Sequence, residues 1–111
     1  MANKIIQNEE KLENGWIVWG VEGRIDIATS ETAYAKGDEI LEQAEKLVLD
    51  MSKVSYLSSA GIRIIVRLFK KAKKQGKEFT VAGAVGMVKT VLEDSNLDTV
   101  LKMRESLMDL R

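Results

Sequence analysis

Two adjacent serines, Ser58 and Ser59, are the residues of this sequence whose type and position best suit a chemical role. They precede an amphipathic stretch, residues 62–74, that predicts a helix. A hydroxyl at the start of a helix can cap it by accepting a backbone N–H bond. It can also carry a phosphate, because the free N–H groups and the helix dipole favour negative charge there. From the residues alone, capping is the commoner role and phosphorylation the alternative.

The composition restricts catalysis. The chain has no histidine and no cysteine, which excludes Ser-His-Asp hydrolases, cysteine nucleophiles, disulfides and thiolate metal sites. No pair of carboxylates has a spacing that suggests acid–base chemistry. We therefore predict a binding domain that is not an enzyme and uses neither a cofactor nor a metal.

Length and charge are typical of one small globular domain over residues 1–111. The 17 basic residues balance the 17 acidic ones, and hydrophobic residues make up 45% of the chain. Direct nucleic-acid binding is not expected, because it needs a basic surface. No apolar run predicts a signal sequence or a membrane span, so we expect no membrane association and a cytoplasmic location.

The pattern of apolar and turn residues predicts the order β-β-α-β-α-β-α, with a further β-α after it. An antiparallel hairpin comes first, roughly residues 4–13 with 16–22, closed by a type I′ turn at Asn14-Gly15. The hydroxyls of Thr29 and Ser30 can cap the first helix. The other expected elements are a loop at 23–26, a helix to about residue 44, strands at 46–51 and 78–82, helices at about 62–74 and 86–94, a short strand at 97–103 and a helical turn at 105–110.

Strands that alternate with helices imply right-handed parallel crossovers. We therefore predict an α/β fold: a mixed, mostly parallel sheet with an antiparallel N-terminal hairpin and helices mainly on one face. Gly37 interrupts the apolar stripe of the first helix at a cost of about 1 kcal/mol relative to Ala. It therefore predicts close approach of that helix to the sheet. Trp16 and Trp19 fall on opposite faces of one strand, so at least one is expected to pack inward.

Opposite charges are concentrated on the two longer helices. A charged helical face is usually only solvated, but it can also steer an acidic partner. Arg63 and Arg67 are candidate partner contacts because they follow Ser59 on the second helix. The apolar stripe of that helix is predicted to be Ile62, Ile65, Val66, Phe69 and Ala72. The basic residues are Arg63, Arg67, Lys70, Lys71 and Lys74, and the acidic residues of the first helix are Glu31, Asp38, Glu39, Glu42 and Glu45.

The stretches Gly23-Arg24-Ile25-Asp26 and Leu49 to Ile62 resemble the bacterial anti-sigma factor antagonists of the STAS superfamily, and the likeness covers about residues 4–103. The resemblance implies a STAS-like domain that takes part in partner switching. Such a protein binds an anti-sigma factor that is also a serine kinase, and so frees a sigma factor. The kinase phosphorylates the antagonist on a serine and releases it, and a metal-dependent serine phosphatase restores binding.

The resemblance also assigns residues by position. Ser59 matches the phosphorylated serine, with Ser58 as the alternative, and Gly61 matches a glycine two residues later. Asp26 matches an acidic position at the partner surface, and Thr29 lies in the same region. Ser58 replaces the usual aspartate and Arg63 a frequent glycine. The missing aspartate favours an alternative: a STAS subunit docked constitutively in a larger assembly, such as a lipid-transport complex, whose serine only caps a helix.

Overall fold

The computed structural model describes residues 4–110, and its chain begins with a hairpin. Strands β1 (Ile6–Lys11) and β2 (Trp16–Ile25) pair antiparallel, which confirms the predicted hairpin. The predicted type I′ turn is wrong, because it needs positive φ at both Asn14 and Gly15, and of these only Gly15 has it, at +95°. The Gly15 N–H donates to the Leu12 carbonyl at 3.2 Å, so the loop is a three-residue one that ends on glycine.

Two further strands complete a four-stranded sheet. Strand β3 (Lys46–Leu57) lies beside β2, and β4 (Glu78–Ala82) lies beside β3, in the order β1-β2-β3-β4. Both of these later pairings are parallel. The mixed, mostly parallel sheet with an antiparallel hairpin at its edge is therefore confirmed.

The helices follow the predicted order with one exception. They are α1 (Ser30–Gln43), α2 (Ser59–Lys74), α3 (Gly86–Asp94) and α4 (Leu97–Val100), followed by a 3₁₀ turn over Leu107–Leu110. The strand predicted at 97–103 is wrong: Asn96 adopts φ +60°, a short helix begins, and Leu97 and Leu101 are buried one turn apart. After this helix, Arg104 forms an isolated parallel bridge with Ala82 of the sheet.

The central strands are longer than predicted. Residues 23–25 belong to β2 rather than to a loop, and β3 continues from Met51 to Leu57. Two register shifts between β2 and β3 interrupt the alternation of apolar and polar residues, which hid these extensions. As a result Ile25 and Leu57 pair at the ends of their strands, and the chain segments that follow them start side by side.

The main core lies on one face of the sheet, under α1 to α4. Close approach of α1 is confirmed, because a Cβ on Gly37 would be 2.6 Å from the Trp19 ring. The buried stripe of α2 is rotated from the predicted one: Ile62, Val66 and Phe69 are only half-buried. Its fully covered side chains are Ile64, Ile65, Leu68 and Ala72.

The opposite face of the sheet has a smaller core. Trp16 and Val18 pack there with Val48, and Leu12 and Leu110 belong to the same cluster. Both tryptophans are therefore buried, one on each face of the sheet. Within residues 4–110 no helix has the length and apolar character needed to span a bilayer.

Candidate functional site

The junction between β3 and α2 gives its two serines different environments. Ser58 is the N-cap of α2: its Oγ accepts the Gly61 N–H at 3.3 Å, and its own N–H donates to the Ile25 carbonyl at 3.0 Å. The predicted capping role is thus confirmed for Ser58. Ser59 is the first helical residue and is exposed to solvent. Of the two hydroxyls, that of Ser59 is the more accessible to another protein.

Gly61 fixes how α2 sits on the strand ends. A Cβ at this position would lie 2.5 Å from Leu57 Cδ1, 2.9 Å from Ile25 Cγ2 and 3.1 Å from the Ile25 carbonyl oxygen. Real Cβ atoms essentially never show the first two distances, so a side chain here would displace Leu57 or Ile25, and glycine lets the first turn of α2 rest against them. Gly61 itself is buried, and it packs against Ile25 at the end of β2.

Asp26 organises the loop that follows β2. Its Oδ1 accepts the N–H groups of Ala28 at 2.9 Å and Thr29 at 3.2 Å. The Thr29 hydroxyl donates to the Arg24 carbonyl at 2.7 Å and accepts the Asp26 N–H at 3.0 Å. Thr29 does not cap α1, so the predicted capping role is wrong: its hydroxyl is buried and bonded within the loop. These bonds give the loop a defined shape beside Ser58.

Sequence reasoning missed three residues around this loop. The guanidinium of Arg24 lies 4.2 Å from the centroid of the Tyr56 ring, and its Nε is 3.6 Å from Asp26 Oδ2. Ile27, at the tip of the loop, is 85% exposed. The sequence did offer one indication of an exposed Ile27: this isoleucine stands between Asp26 and Ala28 and does not fit the apolar spacing of a strand or a helix. An exposed isoleucine in a fixed loop can anchor a protein contact.

The two candidate arginines of α2 differ in their contacts. Arg67 donates to Glu31 of α1 at 3.3 Å and lies 3.9 Å from the centroid of the Tyr34 ring. Arg63 is exposed one turn after Ser59, and no ion pair involves it among residues 4–110. The structure therefore leaves Arg63 beside the serine and ties Arg67 to α1.

Much of the charge on α1 and α2 is paired between the helices. Lys71 bonds to both Asp38 and Glu42, and these hydrogen bonds raise the pKa of Lys71. Arg67 and Lys71 of the basic stripe thus pair with the acidic residues of α1, and the predictions for these two faces did not include this pairing. In the described part of the chain no three His, Cys, Asp or Glu side chains are grouped to hold a metal ion.

Three features form one surface: the exposed serine at the N-terminus of α2, the loop that carries an aspartate carboxylate, and an exposed apolar side chain. These are Ser59, Asp26 and Ile27, which follow the paired strand ends at Leu57 and Ile25. This combination is suited to binding a protein, and a charge added at Ser59 would alter it directly.

Comparisons with known proteins give a consistent family assignment. The model of the STAS domain family matches residues 8–110. An anti-sigma F factor antagonist of Paenibacillus polymyxa is 23% identical over 103 residues, which cover 91% of this chain and 88% of the relative. The crystal structure of an anti-sigma factor antagonist from Mycobacterium paratuberculosis superposes with a TM-score of 0.87 at 25% identity, covering 98% of this chain and 92% of that one.

The anti-sigma factor antagonist SpoIIAA of Bacillus shares the fold. Its unphosphorylated form superposes with a TM-score of 0.77 at 15% identity, covering 95% of this chain and 92% of that one. A structure of SpoIIAA in the phosphorylated form also matches. The fold described above, in which β1 and β2 pair antiparallel and the other strands pair parallel, is thus the fold of these proteins.

Proposed function

This chain belongs to the STAS domain family, and from that membership we propose that it is an anti-sigma factor antagonist whose binding is switched by phosphorylation of Ser59. Its partner is an anti-sigma factor that is also a serine kinase. Binding of that kinase frees a sigma factor for transcription. The names of the relatives from Paenibacillus polymyxa and Mycobacterium paratuberculosis support the role.

The exposure of Ser59 is the observation that carries this proposal. The hydroxyl lies in the first turn of α2, where free backbone N–H groups favour a phosphate. Ser58 is half-buried, and its oxygen already accepts a backbone N–H. The family usually has aspartate at that place, and serine here keeps the cap. We therefore assign phosphorylation to Ser59 and capping to Ser58.

The switch acts through charge at the surface formed by Ser59, Asp26 and Ile27. A phosphate brings about −1.5 to −2 charges into this surface. If the partner buries that charge or places carboxylates against it, a loss of about 3–4 kcal/mol weakens binding several-hundred-fold. The fold is unaffected, because Ser59 is exposed and the helix N-terminus tolerates the phosphate.

The other members of the cycle follow from the same proposal. A serine phosphatase removes the phosphate and restores binding, and Arg63 extends the contact surface along α2. The chain acts in the cytoplasm as a single binding module over residues 1–111, without catalytic activity or direct contact with nucleic acid or membrane. The buried Thr29 and Gly61 serve this surface by holding its loop and its helix in place.

A capture experiment with matched baits tests the switch. The wild type, Ser59→Asp, Ser59→Ala and the control Ser55→Asp are used as baits in lysate of the native cells, with ATP or ADP added. Ser55 is also exposed, on β3, so its variant adds the same charge at a nearby position. We expect an ATP-binding serine kinase, identified by mass spectrometry, on every bait except Ser59→Asp.

The same experiment distinguishes the docked scaffold. Identical partners on the wild type and Ser59→Asp, especially subunits of a transport assembly, would assign the chain to a constitutive complex. Thermal denaturation of each bait is the necessary control. Loss of binding with an unchanged melting temperature supports the switch, whereas unfolding of Ser59→Asp would contradict the surface role of that residue.

A further inference from the structure

A groove of about 260 Å³ lies at the opposite end of the sheet from Ser59. It is formed where β2 and β4 begin, between the end of α2 and residues 100–104. Ser59 and Lys73 are 14 residues apart on α2, a distance of about 21 Å along a helix. The groove is therefore separate from the proposed switch surface, and nothing in the switch requires it.

The lining of the groove is aromatic and aliphatic. Phe69 of α2, Phe79 of β4 and Trp16 of β2 line it; Phe79 and Trp16 are only 5% and 8% exposed, and Val100 contributes a side chain that is 50% exposed. At about 260 Å³ the groove is slightly smaller than the pockets of about 300–1,000 Å³ that hold drug-sized molecules. An α-helix about 10 Å across does not fit such a space, whereas a small apolar body does.

The rim of the groove is basic. Lys73, Lys102 and Arg104 are exposed around it, against the single carboxylate of Glu78. The Lys73 ammonium lies 5.6 Å from the Phe69 ring centroid, which holds this cation beside the apolar lining. Lys77 also lines the groove, but its ammonium bonds to the Leu41 carbonyl. Among residues 4–110 no ion pair involves Lys73, Lys102 or Arg104, so these cations favour an anionic group at the mouth of an apolar groove.

Hydrogen bonds and a positive φ fix the backbone of the rim segment that carries Lys102 and Arg104. Lys102 adopts φ +54°, a conformation that non-glycine residues rarely take. The Thr80 hydroxyl holds this segment by donating to the Leu101 carbonyl at 2.8 Å, and Arg104 pairs with the edge of β4. Strained residues that their surroundings hold in place tend to occur at binding sites.

We propose that this groove binds a small anionic amphiphile, a free carboxylate with an apolar chain. The chain lies against Phe69, Phe79 and Trp16, and the carboxylate bonds to Arg104 and Lys102. Guanidinium and ammonium groups are the usual partners of carboxylates, and the apolar lining suits a short alkyl chain.

Octanoate is the probe, and octylammonium, with the same chain and the opposite charge, is its matched control. Each is titrated into nitrogen-labelled full-length protein while the backbone and indole N–H resonances are followed. We expect saturable shifts with octanoate at Trp16, Phe79 and Lys102, and binding of octylammonium at least tenfold weaker. Lys102→Gln and Arg104→Gln should each weaken octanoate binding several-fold, and the exposed Lys89→Gln on α3 should not.

Three results would overturn the proposal. Equal affinity for both probes would mean an apolar patch without charge selectivity. Shifts that do not saturate, or that lie elsewhere, would mean the groove is not a site. Binding to phosphatidylglycerol vesicles without binding of free octanoate would assign the basic rim to a membrane surface. Because no phosphorylation is involved, these results are independent of the Ser59 switch.

Discussion

Gly37 of α1 lies directly against Trp19 of β2, so that a Cβ on Gly37 would be 2.6 Å from two carbons of the indole ring. The same Cβ would be 2.9 Å from Leu68 Cδ1 of α2. The indole is fully buried, and its Nε1–H donates to Gln7 Oε1 at 2.9 Å. Two helices and the sheet therefore meet at a point that leaves no room for a methyl group.

Gly37→Ala should lower the free energy of unfolding by up to about 2 kcal/mol. Alanine gains about 1 kcal/mol of helix propensity, but the steric overlap with Trp19 costs more, because overpacked cores lose typically 1–3 kcal/mol. Ala35→Gly, at an exposed position of the same helix, measures the propensity alone. Urea denaturation of both variants measures the free energy of unfolding. If Gly37→Ala is more stable than the wild type, the indole of Trp19 can move away from the added methyl group.

Ser58→Ala should cost about 1 kcal/mol, because the N–H of Gly61 loses its acceptor at the start of α2. Ser58→Asp should keep wild-type stability, since aspartate also caps. Ser59→Ala should change stability by less than about 0.5 kcal/mol, as is usual for an exposed residue. Guanidinium denaturation of the three variants tests this assignment, and equal losses for Ser58→Ala and Ser59→Ala would refute it.

Two properties of Asp26 can be tested separately: its role as a hydrogen-bond acceptor and its negative charge. Asp26→Asn keeps an Oδ1 that accepts the N–H groups of Ala28 and Thr29, and so should leave stability nearly unchanged. Asp26→Ala removes the acceptor and should cost about 1 kcal/mol. If the charge of Asp26 contacts the kinase, Asp26→Asn loses affinity in the capture assay while its melting temperature stays the same. Unchanged affinity would limit Asp26 to shaping the loop.

Lys71 should contribute to stability up to alkaline pH and then lose that contribution. Its hydrogen bonds to Asp38 and Glu42 raise its pKa above the usual 10.5. The unfolded chain therefore releases this proton first, and stability falls as the pH rises from about 10 towards the higher folded value. In chemical denaturation from pH 7 to 11, the wild type should lose more stability above pH 10 than Lys71→Met. Parallel curves would mean that the raised pKa has no effect on stability.

A phosphate on Ser59 should be held by Arg63, which lies four residues later on the same face of α2. With phosphoserine incorporated at position 59, the phosphate at the helix N-terminus should stabilise the fold by about 0.3–1 kcal/mol. The gain should be smaller in Arg63→Gln and should shrink with added salt. Arg67→Gln is the control, since Arg67 pairs with Glu31 instead. An identical gain in Arg63→Gln would exclude the pair.

Local pattern was sufficient to predict most of the fold. The apolar spacing in α1, with Gly37 in its stripe, located the helix and its close contact with the sheet. The serines before α2 located the junction and a capping serine there, although only the structure identifies Ser58 as the cap. In these cases the residues that specify the structure are neighbours in sequence.

The errors concern contacts between distant parts of the chain. The extension of β2 to Ile25 depends on its pairing with Leu57, more than thirty residues away, and the register shifts between the two strands hide the pattern. The Thr29 hydroxyl bonds to Arg24 instead of its own helix because the loop folds back on β2. Residues 97–103 have strand-like composition, but Leu97 and Leu101 are buried one helical turn apart. Ion pairs between α1 and α2 could not be predicted before the helices were placed.

The two edges of the sheet have a consequence for self-association. Strand β1 presents Glu9, Glu10 and Lys11 along its open edge, so a second chain adding there would have to desolvate these charges. At the other edge, the bonds of Arg104 to Val81 and Gly83 occupy backbone groups of β4 and its extension. Neither edge is a long, apolar, unpaired strand, and the folded protein should therefore resist amyloid-like growth even at high concentration.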